Sequence, residues 1–427
     1  MACDNVRATV VELPSPTDPN FKSSAIVTQK VYPVSSIIDA TNAISGNLQF
    51  EWTVPSGYRQ LMDRTYIVFD LGMAVALGTA LVTSAPAPNL CASAFTTGRF
   101  EIQDYLVAQS NNVAQDDTLM KRMINSKVKN NTTNSCSYFY GSDTERFDAW
   151  QTYLRQTVAW QPDCLINREQ ILPSNVKCRM ILQVNPNVNT PANNPMTVDK
   201  TDAAGDCVSK FYSIYMVNTF VKVDSPLPQT VYIPAYSINS SYQIVSGTNW
   251  NAQWSIPKDA YKVVIAFQSN SATVRAGQRL TKFCSGVLFG AQNSQSLLLT
   301  SLQMRYGSQT YPSTPYTITE SATQKGSIEP YCQYLNDVEA QLDQAGAESY
   351  NDWSDPVVLA DAGLGRLFSF SLVKPSNSTS TTAEVTTSWS GAPANTRCIL
   401  FSITKTAIGI TYGANGQVMD IKSIPYQ

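Results

Sequence analysis

The stretch Phe50-Glu51-Trp52-Thr53-Val54-Pro55 returns, nearly unchanged in pattern, as Ala252-Gln253-Trp254-Ser255-Ile256-Pro257, with the two tryptophans 202 positions apart. On that offset Leu48, Phe50, Trp52 and Val54 match Trp250, Ala252, Trp254 and Ile256, with a polar residue at each position between. Both copies therefore read as period-two strands with one buried face. Upstream, Ile44-Ser45-Gly46 answers Val245-Ser246-Gly247, and downstream Tyr66-Ile67-Val68-Phe69 answers Tyr261-Lys262-Val263-Val264. One β domain is written twice.

The same series follows each copy. In the first half come Phe100 to Leu106, a helical stretch, and the alternating run Val176 to Val184. The second half gives Leu302 to Tyr306, a helical stretch, then Phe368, Phe370 and Leu372 alternating with serines. Chance explains one such match but not an ordered series. At 427 residues and 43% hydrophobic content, the chain is long enough for two cores of about 200 residues each, near the upper size of a single sandwich.

Composition removes several function classes. Net charge is −2 and 15% of residues are charged, so no global basic field is present to hold nucleic acid. Histidine is absent. That takes away the commonest general base and transition-metal ligand, while leaving open an enzyme built on two carboxylates. The nine cysteines are scattered singly from Cys3 to Cys398 without a C-x-x-C pair, which reads as free thiols, Cys178 and Cys398 on strands. Gly363-x-Gly365 lacks a third glycine and no phosphate loop occurs. Met1 to Asn20, with four charges and three prolines, lacks the apolar core of a secretory signal and reads as an arm. Leu71 to Val82 is too short to span a bilayer and reads as a strand with its connection.

Punctuation along the chain predicts an N-terminal arm over 1–29, a first domain over 30–228 and a second over 229–427, divided near Pro228 by Asp224-Ser225-Pro226-Leu227-Pro228. Ser142-Asp143-Thr144-Glu145 has capping-box spacing ahead of Phe147, Trp150 and Leu154. Tyr331, Leu335, Val338, Leu342 and Ala345 form a helical stripe that Gly346 is placed to end. The last segment reads as a hairpin turning at Asn415-Gly416, and Ser376 to Thr382 as an exposed polar loop, with Asn377 a formal glycan acceptor.

Two consecutive sandwiches, each opening on a W-[TS]-[VI]-P strand and each carrying a helix in a long loop, resemble the double jelly-roll major capsid proteins of double-stranded DNA viruses. Within that lineage the chain is most similar to those of virophages and polinton-like viruses. Ile171-Leu172-Pro173-Ser174-Asn175-Val176-Lys177 is similar to the approach to a late strand of their first jelly roll, and Leu302 to Pro312 to a strand and turn of their second. The resemblance covers about residue 40 to the C-terminus. It implies an all-β chain of two eight-stranded jelly rolls with short helices in inter-strand loops. It further implies a structural role: a homotrimer of pseudo-hexagonal outline, packed against neighbouring capsomers and penton and minor capsid proteins in an icosahedral virion shell assembled inside a host cell. Contact with an internal membrane is left open by it.

The alternative is a β-sandwich carbohydrate-binding or carbohydrate-active protein. Asp352 and Asp355 flanking Trp353, or Glu339 and Asp343 one helical turn apart, would supply its carboxylate pair. A solvated loop and a solvated helix face are the simpler accounts of them. A tandem adhesin or lectin would be expected to carry a secretion signal. Lys121, Arg122, Lys127 and Lys129 cluster about a short helix over 117–125 and could touch phosphate, but no aromatic residue is interleaved with them, so a solvated face is the expectation. Trp52 and Trp254 are read as core residues. No catalytic, cofactor-binding or metal-binding residue is assigned, no cofactor is expected, and no specific nucleic-acid site is predicted.

Overall fold

Alternating side chains give each strand one face for a core, and the chain uses this to build two sandwiches. The computed structural model describes residues 23–75, 84–123, 143–152, 155–166, 170–199, 207–223, 228–270, 281, 283, 299–319, 328–338, 350–353, 365–372, 381–391, 393 and 395–425. The first repeat contains β1 (Ser23–Val31), β2 (Asn47–Thr53), β3 (Tyr58–Val75), β4 (Ser84–Pro86), β5 (Phe95–Ile102) and β6 (Tyr105–Ser110). Helices α1 (Val113–Met123) and α2 (Asp143–Thr152) follow. Then come β7 (Arg155–Trp160), β8 (Ile171–Leu172), β9 (Lys177–Val184), β10 (Thr197–Asp199) and β11 (Cys207–Val223). The second repeat has β12 (Thr230–Ile244), β13 (Asn249–Ser255), β14 (Ala260–Ser269), β15 (Leu299–Tyr306) and β16 (Gln309–Thr317). After helices α3 (Ile328–Asp337) and α4 (Tyr350–Trp353) it continues with β17 (Leu367–Ser371), β18 (Thr382–Trp389), β19 (Thr396–Tyr412) and β20 (Val418–Pro425).

Strand order shows the duplication directly. The first repeat pairs β1-β11-β3-β7 in one sheet and β2-β9-β5-β6 in the other; the second pairs β12-β19-β14-β17 and β13-β18-β15-β16. Taking the eight strands of each repeat in chain order converts one pattern into the other, so both are jelly rolls of the same topology. Trp52 on β2 faces Cys178 of β9, and Trp254 on β13 faces Ala383 of β18, so the two tryptophans occupy matching positions of matching strands. Pairs β4-β10, β3-β8 and β19-β20 are local additions.

Three details of the sequence alignment are corrected. The strand matching β9 is β18, since both pair with the tryptophan strand, whereas Phe368 and Phe370 lie on β17, the counterpart of β7. Alternation alone carries no label for which strand it belongs to. The match of Tyr66 to Tyr261 is one residue out. Ile67, Phe69 and Leu71 face the first core, and the residues facing the second are Val263, Ile265 and Phe267, so Tyr66 answers Lys262. A slip of one reverses every face of a strand, and an almost unbroken apolar run hides the slip. Strand β1 begins at Ser23, so the arm drawn to residue 29 includes most of a strand paired with β11.

That unbroken run, Val263-Val264-Ile265-Ala266-Phe267, reports burial on both sides. Val263, Ile265 and Phe267 pack into the second jelly roll with Phe368 and Trp389, whose ring centroid is 5.1 Å from that of Phe267. Val264 and Ala266 point the other way, into a core shared with the first jelly roll. Ile399, Phe401 and Ile403 of β19 and Val231 and Ile233 of β12 join them there. The first core itself centres on Phe95 stacked on Trp160 at 5.7 Å, with Phe69 and Phe211 against them.

The matched tryptophans differ in one respect. Trp52 Nε1 donates to Gln60 Oε1 at 2.7 Å, and Gln60 Nε2 donates in turn to Thr65 Oγ1 and Asn218 Oδ1 at 3.0 and 3.1 Å, all buried. Trp254 Nε1 is buried without a hydrogen-bond partner among the described residues. Trp52→Phe strands a buried acceptor and Trp254→Phe removes an unpaired donor, so the first is expected to cost about 1–3 kcal/mol more than the second, read from urea unfolding of both variants.

The other sequence expectations fall as follows. The terminal hairpin turns at Asn415-Gly416, with Gly416 at φ +75. Helix α2 carries Phe147 and Trp150, α3 carries Tyr331 and Leu335, and Val338 follows α3. Ser142, Leu154, Asn377, Leu342, Ala345 and Gly346 lie outside the described residues, as do residues 1–22 and Asp224 to Leu227. Among the described residues Cys91, Cys164, Cys178 and Cys398 are free and buried, Cys178 and Cys398 on strands, Cys207 is buried, and Cys332 is free and exposed. No described helix is long and apolar enough to cross a membrane.

Candidate functional site

Helix α1 is the most unusual element of the chain. Its sequence, Val-Ala-Gln-Asp-Asp-Thr-Leu-Met-Lys-Arg-Met, is mostly polar on one side, yet all 11 residues are buried. A polar helix with no free face must find a partner for nearly every group it carries. It starts with Asn112 O accepting from Gln115 and Asp116 N–H, places Asp116 in its first turn and Lys121 and Arg122 in its last, and so agrees with the helix dipole.

The partners come from both jelly rolls. Within the first, Asp117 Oδ2 accepts from Lys121 Nζ at 2.9 Å, Trp160 Nε1 at 2.9 Å and Asn89 Nδ2 at 2.8 Å. Lys121 Nζ also reaches Asp163 Oδ2 at 2.8 Å and the Gln161 carbonyl at 2.6 Å. Towards the second, Arg122 Nη2 donates to the Gly365 carbonyl at 2.7 Å, and Tyr334 Oη donates to the Arg122 carbonyl at 3.3 Å. Gln115 Nε2 donates to Gln268 Oε1 at 2.8 Å, an oxygen that Arg397 Nη2 also reaches at 2.8 Å. The helix pins one domain to the other.

Asp116 is the odd member. Its Oδ2 accepts from Ser110 Oγ at 2.7 Å, and Ser240 of β12 approaches the carboxyl from the other jelly roll, while Oδ1 has no hydrogen-bond partner among the described residues. Lys121 is already engaged by Asp117 and Asp163. Burial first, and then the Asp117 charge, push Asp116 up to about 7, against hydrogen bonds from Ser110, Ser240 and the Asn112 backbone that favour the ion. Burial likewise raises the thiol of adjacent Cys164 and makes it inert.

The phosphate and solvated readings of the basic cluster are both replaced. Lys121 and Arg122 are wholly buried, and Lys127 and Lys129 lie outside the described residues. Helix α1 also starts at Val113 rather than near Asp117. The i,i+4 spacing of Asp117 and Lys121 was the visible signal. Asp163, far along the chain in a loop after β7, gave none. Of the carboxylate pairs, Asp352 is on α4, and Asp355, Glu339 and Asp343 lie outside the described residues; Trp353 is buried against Tyr334 and Phe368. Gly365, at φ +87, leaves no room for a Cβ, which would collide with the Phe283 carbonyl, and Gly363 is outside the described residues. No group of three or more metal-ligating side chains among the described residues is arranged to hold an ion.

A cleft of about 620 Å³ lies where the domains meet at their other end, lined by Ser56, Arg59, Ser174, Asn175, Gln229 and the hairpin turn at Gly413 to Gly416. Among the described residues no carboxylate lines it. Its walls are tied by Asn175 Nδ2 donating to the Gly416 carbonyl at 3.0 Å and Tyr412 Oη donating to the Ser174 carbonyl at 3.2 Å. The site as a whole is a joint between two domains.

No protein-family model matches the sequence, and no curated protein matches it. Among solved structures, that of the Sputnik virophage contains a chain similar at TM-score 0.56 and 10% identity, over 97% of this chain and 93% of that one. The mavirus major capsid protein is similar at TM-score 0.50 and 11% identity, over 98% and 96%. The PBCV-1 protein VP54, fitted into a reconstruction of Sputnik, is similar at TM-score 0.50 and 9% identity, over 97% and 100%. At such identities the likeness establishes the fold: this chain is a double jelly roll from end to end of its described residues.

Proposed function

We propose that this double jelly roll is a major capsid protein, located in a virion shell and without enzymatic activity. Three copies form a capsomer of pseudo-hexagonal outline, and capsomers tile an icosahedron together with penton and minor capsid proteins. One observation carries this reading: two jelly rolls of identical topology are locked into one body by α1, and the same two-domain plan runs through 98% of the chain in its likeness to a protein solved as a capsid protein. Six similar sandwiches about a threefold axis fill a hexagonal footprint, while non-identical halves let loops differ between positions. A locked joint supports the same reading, because closure of a ring requires each subunit to hold its two contact surfaces at a fixed angle. A low charge density supports lateral packing without self-repulsion.

The test is light scattering of purified full-length protein at micromolar concentration, with electron micrographs of the same sample. A mass near three chains and hexagonal particles are expected. A monomer at every concentration, with no particles, overturns the proposal.

A further inference from the structure

We infer that the carboxyl of Asp116 is a proton-operated latch between the two jelly rolls: protonated it keeps the joint shut, and ionised it lets the joint open while each jelly roll stays folded. Its position is the first ground. Asp116 is 1% exposed, its Oδ2 accepts from Ser110 Oγ of the first jelly roll at 2.7 Å, and Ser240 of β12 approaches it from the second. Oδ1 has no hydrogen-bond partner among the described residues. The carboxyl therefore sits in the seam, touched from both sides.

The second ground is that the cations on the surrounding elements are engaged elsewhere. On α1 itself Lys121 is held by Asp117 and Asp163, and Arg122 donates to the Gly365 carbonyl. Arg397 of β19 reaches Gln268 Oε1 and lies 5.2 Å from the centroid of the Tyr242 ring, while Lys262 of β14 donates to the Asp337 carbonyl. On β5, Arg99 and Glu101 pair with each other on the face opposite Phe100. Strands β6 and β12 carry no charged side chain, only the phenols of Tyr105, Tyr232, Tyr236 and Tyr242. The segment after β7 adds Asp163 and the thiol of Cys164.

An ionised Asp116 is then a buried charge with no counter-ion, beside the charge of Asp117. Burial first, and Asp117 second, push its titration up to about 7, so the proton is held in acid and lost across neutrality. Once charged, the carboxyl gains by reaching water, and the way to water is through the seam. A small gap lined by Met120, Cys164, Ala235 and Tyr236 already lies there, between α1 and β12. The latch concerns the chain alone and stands whether or not subunits assemble. Where they do, the angle between their contact surfaces becomes a function of pH.

Cys164 is 5% exposed and lines that gap, so its reaction with 4,4′-dithiodipyridine, a disulfide reagent that works in acid as well as alkali, reads opening of the joint. Cys178 and Cys398, buried inside the first and second jelly rolls, read unfolding, and the exposed Cys332 supplies the intrinsic thiol rate at each pH. Rates at each cysteine are taken by peptide mass mapping of the full-length wild type, Asp116→Asn and Ser240→Ala. Asparagine keeps the shape of the protonated acid. With each Cys164 rate divided by that of Cys332, the wild type is expected to match Asp116→Asn near pH 3.5, to climb away from it between pH 4 and 7, and to exceed it at least tenfold at pH 8.5. Cys178 and Cys398 are expected to react at least tenfold more slowly than Cys164 throughout. Ser240→Ala, which removes the second jelly roll's approach to the carboxyl, is expected to speed Cys164 severalfold near pH 3.5. A Cys164 rate that, relative to Cys332, does not change with pH in the wild type overturns the latch. So do three buried cysteines that react together, which would mean global unfolding, and a Ser240→Ala rate equal to that of the wild type.

Discussion

Lys121→Met is expected to lower the stability of the chain by about 3–5 kcal/mol, because it leaves two buried carboxylates without their cation. The side chain of Lys121 is 1% exposed, and those of Asp117 and Asp163 are not exposed at all. Methionine keeps the length of the stem, so packing changes little and the effect isolates the charge. Asp117 retains its bonds from Trp160 and Asn89, and Asp163 loses its ammonium partner. Adding Asp163→Asn to Lys121→Met is therefore expected to restore part of the loss. Urea unfolding of the three proteins measures this. A loss below about 1 kcal/mol, the range of a solvent-exposed pair, would show that water reaches the cluster.

The second large effect depends on pH and belongs to Asp116. Its folded-state pKa of about 7 stands above the ordinary value of 3.8, so the native state favours the protonated form. The stability this gives is complete below about pH 4 and is lost as pH rises through 7. The gap corresponds to roughly 4 kcal/mol at most, since the full difference is reached only when both states are ionised. Asp116→Asn mimics the protonated acid at every pH. It is expected to match the wild type near pH 3.5 and to exceed it by about 2–4 kcal/mol near pH 8.5. Thermal melts across that range decide it: parallel pH profiles for the two proteins would mean that Asp116 is solvated and ionised. Because Ser240 of β12 faces the same carboxyl, the wild type is also expected to loosen between its domains first on the alkaline side.

Much of the fold was legible because its signals are local. The alternation around Trp52 and Trp254 is confined to one strand each, and the duplication supplied an internal control that a single sandwich would lack. Strand identity was harder to read. Phe368, Phe370 and the serines between them alternate as well as Val176 to Val184 do, and nothing in a five-residue pattern says whether its strand lies in the tryptophan sheet or the other one. Register failed where both faces were apolar, at Val263 to Phe267. The joint was least visible. The residues around Lys121 looked like a solvated basic patch, because a buried lysine differs from an exposed one only through partners such as Asp163 and Gln161, which the fold brings from elsewhere in the chain.

The sheet β12-β19-β14-β17, apolar on both sides, has a consequence for how the protein is made. Residues enter the growing chain from the N-terminus, so the first jelly roll is synthesised whole before any strand of the second exists. When β12 and β14 emerge, they meet a preformed wall built by β6, α1 and the segment after β7. Their second face is then covered by a neighbour already in place, and never waits in solvent for one to diffuse to it. The reverse order of domains would present that face to the crowded interior of a cell producing many copies at once, where the nearest apolar surface would belong to a different nascent chain.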